Sequence, residues 1–183
     1  MAVLMAILAF LLVDRRLRSS WQAQHDPLTF LPNRRLFRTC AKRALRGDSS
    51  SRVAVAYIDL NGFKAVHDTH GHSVGDRVLT EVGRRLGLEA RPDEVVARLG
   101  GDEFAVLIEG ADSDEAVRDR VHSLIRSIGS AAGELAPDCP LGAAAGIAFH
   151  PEDGDRVETL LSVADRRMYE HKRAAEDSPS DER

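Results

Sequence analysis

The 183-residue sequence is poor in cysteine and in aromatic residues, and the first shortage excludes a class of protein. Its two cysteines, Cys40 and Cys139, form neither the disulfide framework of a small secreted domain nor a paired metal motif, and they favour a reducing, cytoplasmic setting. Basic residues do not outnumber acidic ones, and a net charge of −4 argues against indiscriminate nucleic-acid binding. The remaining composition, 43% hydrophobic and 30% charged, is typical of one globular domain.

Long apolar runs are also scarce, apart from residues 1–13, which carry no charge. As a helix this run would span about 20 Å, less than the roughly 30 Å hydrocarbon core of a bilayer. A basic segment, which a secretory signal would have, does not precede it. We interpret residues 1–24 as the end of a membrane anchor and a linker helix, with Arg15, Arg16 and Arg18 on the cytoplasmic side. An amphipathic N-terminal helix is the alternative.

The rest of the chain alternates apolar runs with helical patterns. Apolar runs predict strands at residues 53–58, 95–97, 104–108 and 141–149. Helical spacing predicts helices after Pro32-Asn33 and within residues 78–86, 117–128 and 160–168, and a glycine- and histidine-bearing loop precedes the second of these. This order predicts an α+β, ferredoxin-like (split βαβ) antiparallel sheet over residues 25–173. The polar residues 174–183 predict a disordered tail.

The stretch RLGGDEF (98–104) places two glycines and two acids between two predicted strands. By itself it fits an ordinary Gly-Gly hairpin turn with solvated acids. In the predicted fold, however, the first and third strands are antiparallel neighbours, so Asp59 at the end of one lies beside Asp102 and Glu103 at the start of the other. Three carboxylates at one point repel one another unless a cation or protons compensate them.

Such a cluster suits Mg²⁺ or Mn²⁺, which are bound by carboxylates together with substrate phosphates. Two ions per active site would activate an attacking oxygen and hold a leaving pyrophosphate, as in phosphoryl or nucleotidyl transfer. Lys64 is placed to approach phosphate, and Asp76 could accept hydrogen bonds from guanine N1–H and N2–H₂. A zinc site on His67, His70 and His72 is disfavoured, because these histidines have no cysteine partner and the acids favour a harder ion.

The motifs, in this order and spacing, resemble the GGDEF-domain diguanylate cyclases, which condense two GTP into cyclic di-GMP and release two pyrophosphates. The resemblance is carried by DPLTFLPNRRLF (26–37), IDLNGFK (58–64), DTHGHSVGD (68–76), ARLGGDEF (97–104) and ADRRMYEHK (164–172). It implies a palm-type nucleotidyl cyclase architecture and a role in bacterial second-messenger signalling. It also implies a homodimer, because each domain holds one GTP and the product needs two sites face to face. Together with the anchor predicted in residues 1–24, the resemblance places the domain at the inner face of the bacterial cell membrane.

The resemblance implies a role for each matching position. Three groups would bind metal: Asp59, the Leu60 backbone carbonyl and Asp102. Three residues would be catalytic: Asp102 by holding metal, Glu103 by assisting at the metal or in deprotonating the attacking 3′-hydroxyl, and Lys64 by stabilising phosphate charge. Four would bind substrate: His67, His72, Asp76 and Lys172.

Several positions depart from the family pattern. Where the family has asparagine, serine, arginine and glycine, this chain has, in that order, His67, Ala145, Glu176 and Phe30. The family's inhibitory Arg-x-x-Asp reads Arg91-Pro92-Asp93-Glu94, and we favour a polar turn here over a feedback site.

Three functions remain open: an active cyclase, a degenerate domain that binds GTP or cyclic di-GMP without turnover, and a structural dimerisation module. We favour the first, because the acids, Lys64 and Asp76 are all retained.

Overall fold

The computed structural model describes residues 5, 21–47, 52–131, 133 and 135–177. Its elements are α1 (Arg34–Ala44), β1 (Val53–Asn61), α2 (Phe63–Glu89), β2 (Glu94–Gly100), β3 (Glu103–Glu109), α3 (Asp114–Ala131), β4 (Gly142–His150) and α4 (Val157–Asp177). The strands form one antiparallel sheet in the order β2-β3-β1-β4. This order confirms the predicted split βαβ arrangement, with the first and third strands as neighbours.

Each face of the sheet has its own hydrophobic layer, because successive side chains of a strand point to opposite faces. Ala56 and Ile58 of β1 belong to the cluster that α2 and α3 cover, whereas Val55 and Tyr57 belong to the cluster that α1 and α4 cover. Asp59 is the next residue in the second series. It therefore lies on the face covered by α1 and α4.

The first helix begins where the sequence predicts. Asn33 caps it, since its side-chain oxygen accepts hydrogen bonds from the backbone N–H groups of Arg35 (3.0 Å) and Leu36 (3.1 Å). The preceding turn is tied to β2 by an ion pair between Asp26 and Arg98, at 2.9 Å. These contacts place Arg34, the first residue of α1, near the turn between β2 and β3.

Two of the predicted boundaries are wrong around the site. Strand β1 continues to Asn61, so Asp59 lies inside the strand and not at its end. The predicted loop after it is helical: α2 begins at Phe63 and is kinked at Gly71 (φ 77°, ψ 169°). The glycine and the polar residues around it interrupt the apolar period, which hides this first helical segment from pattern analysis.

The structure describes only part of the predicted anchor and linker and of the predicted tail. Helix α4 continues to Asp177, four residues into the predicted tail, and residues 178–183 lie outside the described residues. Most of the predicted anchor and linker, residues 1–24, also lies outside them, although Trp21 and Gln22 are helical. Within the described part of the chain, no helix is both long and apolar enough to cross a bilayer.

Gly146 lets β4 and α4 meet backbone to backbone, because a β-carbon there would overlap the Ala164 carbonyl oxygen and the Met168 amide nitrogen. We expect Gly146→Ala to lower the free energy of unfolding by about 1–3 kcal/mol, as overpacking does. Denaturant unfolding measures this loss. Gly142→Ala in the same strand is the matched control, since its β-carbon would meet the nearest atom of Asn61 at 3.8 Å. Equal losses in both variants would contradict this explanation.

Candidate active site

The turn between β2 and β3 leaves its backbone open to approach. Gly100 and Gly101 have φ values of 147° and 51°, in the region that favours glycine. A β-carbon at either position would have no atom of the other described residues within 4 Å, apart from its neighbours along the chain. The backbone at these two glycines is therefore open to the approach of an anionic group.

The predicted acids lie at this same edge of the sheet. Asp59 of β1 pairs directly with Glu103 of β3, so the two carboxylates start from adjacent backbone positions on one face. Asp102 lies in the turn, and its backbone carbonyl accepts a hydrogen bond from the Leu60 N–H at 3.3 Å. The structure thus places the backbones of all residues predicted to hold metal next to one another, whereas their roles remain predictions.

Basic side chains from two helices flank the acid pair. Lys172 Nζ of α4 lies 2.6 Å from Asp59 Oδ2, and Arg34 Nη2 of α1 lies 3.4 Å from Glu103 Oε2. Arg34 Nε also donates to the Leu99 carbonyl oxygen at 3.2 Å. Because both ion pairs are partly exposed to solvent, each is weak enough to be exchanged for a bound cation. Sequence reasoning missed Arg34, although it follows directly on the predicted start of α1.

The Tyr57 side chain contacts the Glu103 carboxylate through a hydrogen bond. Burial, reinforced by the Glu103 carboxylate, raises the pKa of Tyr57 to about 12. The phenol is therefore protonated at neutral pH, and its hydroxyl can donate to that carboxylate. Tyr57 and Arg34 together hold Glu103 in a defined position.

A cleft of about 1090 Å³ opens beside the acids, where β4 lies between α3 and α4. Asp102 and the β1–α2 turn line one end of it. Its basic and histidine side chains are Lys64, Arg118, His122, Arg167, His171 and Lys172. A cleft of this character next to Asp59, Asp102 and Glu103 suits an anionic substrate that carries metal ions, such as a nucleoside triphosphate.

The predicted guanine contacts lie on α2 and do not line this cleft. His72 and Asp76 are exposed, on the far side of the kink from His67. The His67 ring packs edge-on against His72, with 4.7 Å between centroids, and fills the space over Gly75. Its Nε2 is buried and has no hydrogen-bond partner among the residues that the structure describes. A buried nitrogen without a partner is costly, and a ligand could relieve that cost.

The departures from the family pattern lie in different surroundings. Phe30 has a φ of 60°, the conformation that glycine adopts most easily, and its side chain is exposed. Ala145 lines the cleft, and its carbonyl accepts a hydrogen bond from His171 Nδ1 at 2.9 Å. The side chain of Glu176 lies outside the described part of the structure.

Glu94, of the possible inhibitory site, is a buried partner of Arg120. Its side chain is 1% exposed, and its Oε1 lies 2.6 Å from Arg120 Nε. Burial opposes ionisation, but hydrogen bonds from Arg120 and from the Arg91 backbone N–H outweigh it and hold the pKa of Glu94 below its ordinary value. The carboxylate is thus already engaged, while Arg91 is exposed. This geometry supports a structural role for Glu94 over a feedback site.

Comparison with known proteins agrees with this geometry. The family model described as diguanylate cyclase, GGDEF domain, matches residues 23–178. The chain is 39% identical over 173 residues to diguanylate cyclase TpbB of Pseudomonas aeruginosa. The aligned region covers 91% of this chain and 39% of TpbB. It is also 39% identical over 154 residues to the bifunctional diguanylate cyclase/cyclic di-GMP phosphodiesterase MucR of that species, covering 82% of this chain and 22% of MucR. The chain thus spans at most about two fifths of these relatives.

Solved structures have the same fold. The GGDEF domain of TpbB superimposes with a TM-score of 0.70 at 36% identity, covering 82% of this chain and 89% of that one. A sensory box/GGDEF family protein from Caulobacter crescentus gives a TM-score of 0.73 at 31% identity, covering 82% of this chain and 99% of that one. The chain belongs to the GGDEF-domain diguanylate cyclase family, because the family model matches it, solved structures share its fold and its glycine turn carries the acids.

Proposed function

We propose that this domain is an active diguanylate cyclase, which condenses two GTP into cyclic di-GMP and releases two pyrophosphates. One observation carries the proposal: the Asp59–Glu103 pair lies beside Asp102 in an open glycine turn, at the end of a basic cleft. The relative TpbB, named a diguanylate cyclase, supports it. The function would belong to bacterial second-messenger signalling.

The donor set fits Mg²⁺ or Mn²⁺, two per active site. Asp59, the Leu60 carbonyl and Asp102 are hard oxygen donors on adjacent backbone, and the open turn leaves room for phosphates. When bound, these ions would neutralise phosphate charge and activate the attacking oxygen. Lys172 would move from Asp59 to the phosphates as the cation arrives, since its charge then has a stronger partner.

Each remaining residue has a role in binding or proton transfer. Glu103, oriented by Tyr57 and Arg34, would accept the proton of the attacking 3′-hydroxyl or assist at the metal. Lys64, exposed at the mouth of the cleft, would bind the charge on the transferring phosphate. Asp76 would accept the guanine N1–H and N2–H₂, with His67 and His72 beside it.

His67→Asn is expected to lower the apparent Michaelis constant for GTP. The histidine ring occupies space over Gly75 with an unpaired Nε2, whereas asparagine is smaller and offers both a donor and an acceptor to guanine. One added hydrogen bond corresponds to an effect of about two- to tenfold. Initial rates over a range of GTP concentrations measure it, with His25→Asn in the N-terminal turn as control. An unchanged or raised Michaelis constant would contradict this interpretation of His67.

Turnover further requires two domains face to face, so we propose a homodimer. We propose that residues 1–24 supply a membrane anchor and a linker helix that sets the dimer geometry. The apolar run and the arginines that follow it support an attachment to the inner face of the bacterial cell membrane.

The direct test is incubation of the whole chain with GTP and Mg²⁺, followed by chromatographic separation of the nucleotides. Cyclic di-GMP from the wild type, and far less from Asp102→Asn, would support the cyclase. The alternative is a degenerate domain that binds GTP or cyclic di-GMP as a regulatory module, and the His67 ring, which fills the space over Gly75 where the family has asparagine, favours it. Nucleotide binding by calorimetry without product, at high protein concentration and with an added dimerising tag, would establish that alternative instead.

A further inference from the structure

A second group of metal-ligand side chains lies outside the candidate active site. His70, at the end of the first segment of α2, has its Nε2 2.8 Å from Oδ1 of Asp138, in the loop between α3 and β4. Cys139 follows in that loop, and the nitrogen, oxygen and sulfur atoms of the three residues all lie within 4.8 Å of one another. The fold thus brings together an imidazole, a carboxylate and a thiol from two distant segments.

The three side chains are graded in exposure. Cys139 is buried, at 6% exposed, whereas the His70 side chain is 27% exposed and that of Asp138 is 60% exposed. The thiol therefore forms the inner end of the group, and an ion can enter from solvent past the carboxylate. Since Cys139 is a free cysteine, its sulfur is not engaged in a disulfide and can act as a ligand.

This donor set favours a different class of ion than the acid cluster of the candidate active site, Asp59, Asp102 and Glu103, does. Mg²⁺ takes oxygen ligands, whereas Zn²⁺ accepts sulfur, nitrogen and oxygen together. Zinc–ligand bonds of about 2.0–2.3 Å in a tetrahedron correspond to ligand atoms roughly 3.3–3.8 Å apart. Atoms within 4.8 Å of one another need to move by only about 1 Å to reach that spacing.

We propose that His70, Asp138 and Cys139 bind a Zn²⁺ ion, with water in the fourth position. The site itself does not depend on the proposed cyclase activity. Pattern analysis disfavours zinc on the histidines of this segment because they have no cysteine partner. The tertiary structure supplies that partner, since Cys139 reaches His70 only when the α3–β4 loop folds against α2.

The bound ion would tie this loop to α2 at a second point. The loop already meets α2 at Gly62, where a β-carbon would collide with the Pro140 carbonyl oxygen. Zinc at His70 would add a contact at the other end of the same segment, next to the Gly71 kink. The segment between these two contacts, residues 63–70, would then be held at both ends.

The experiment uses the whole reduced chain, stripped of metal and kept in excess Mg²⁺ so that the acid cluster is occupied by a hard ion. Titration with Co²⁺ in place of Zn²⁺ should produce a thiolate-to-cobalt charge-transfer band. Competition with a chromophoric chelator then gives the Zn²⁺ affinity. We expect Cys139→Ala to lose the band and Asp138→Asn or His70→Gln to weaken Zn²⁺ binding by at least about tenfold. Zinc should also raise the unfolding temperature of the wild type more than that of these variants.

Two controls separate the site from other ligands. Cys40→Ala removes the other cysteine and should keep the band, and Asp102→Asn alters the acid cluster and should keep Zn²⁺ affinity. A wild type without the band, or a band that survives Cys139→Ala, would overturn the proposal. If Cys139→Ala does not fold, the exposed Asp138→Asn decides, because an unchanged Zn²⁺ affinity there would equally overturn it.

Discussion

Asp102→Asn is expected to reduce cyclic di-GMP formation by more than about 100-fold, beyond the loss typical of groups that only support a metal ligand. Asparagine keeps the size of the side chain but removes the charge that would hold the cation. The backbone of the turn should survive, since the contact that ties it to β1 uses the Asp102 backbone carbonyl and the Leu60 N–H. Initial rates of product formation, with saturating GTP and Mg²⁺, measure the effect.

A matched control separates chemistry from folding. Asp112→Asn alters an exposed aspartate in the loop after β3 and should leave both turnover and stability unchanged. Both variants should unfold at the wild-type denaturant midpoint. Near-normal turnover in Asp102→Asn would contradict the assignment of this residue as a metal ligand, and a shifted midpoint in that variant alone would point to a structural role.

Arg120→Met is expected to lower the free energy of unfolding by about 3–5 kcal/mol, the usual cost of leaving a buried charge without its partner. Glu94 is buried and most of the Arg120 side chain is withdrawn from solvent, with side chains 1% exposed for Glu94 and 9% for Arg120. Arg120 also donates to the exposed Glu89 backbone carbonyl at 2.5 Å, which water can pair after the substitution, so the expected loss comes from the buried Glu94 carboxylate. Denaturant unfolding at neutral pH measures the change.

The matched control is Arg84→Met, which breaks a largely exposed pair with Glu81 and should cost less than about 1 kcal/mol. The double variant Glu94→Gln/Arg120→Met should recover much of the loss, because no charge is then buried alone. Equal losses in the free energy of unfolding for Arg120→Met and Arg84→Met would show that the burial of the Glu94–Arg120 pair does not determine the loss.

The pKa of Glu94 determines how the free energy of unfolding depends on pH. Because the pKa of Glu94 is lower in the folded than in the unfolded protein, its contribution is complete above the unfolded pKa of about 4.3 and is lost as the pH falls below it. In Arg120→Met, the Arg91 backbone N–H still favours the Glu94 carboxylate, but Arg120 no longer offsets burial, so the pKa of Glu94 rises relative to wild type. The deficit of this variant relative to wild type should therefore shrink between pH 7 and pH 5. A constant deficit over that range would contradict the explanation.

The sequence by itself determined the sheet and the identity of the acids. Runs of buried residues and helical spacing reflect which side chains leave water, and that information is local, so β1, β3 and the start of α1 at Asn33 follow from it. The split βαβ order then required Asp59 and Glu103 to be neighbours, and the structure pairs them. The family followed from motifs whose order and spacing are legible in the chain.

Only the tertiary structure decided what these residues touch. The first segment of α2 is helical although polar residues interrupt its apolar period, because Phe63 and Val66 are buried in the core. The pairing of Glu94 with Arg120, and the meeting of His70 with Cys139, join segments that are far apart in sequence. Such contacts depend on how helices pack against the sheet to within an ångström or two, and no periodicity of a single chain segment records that distance.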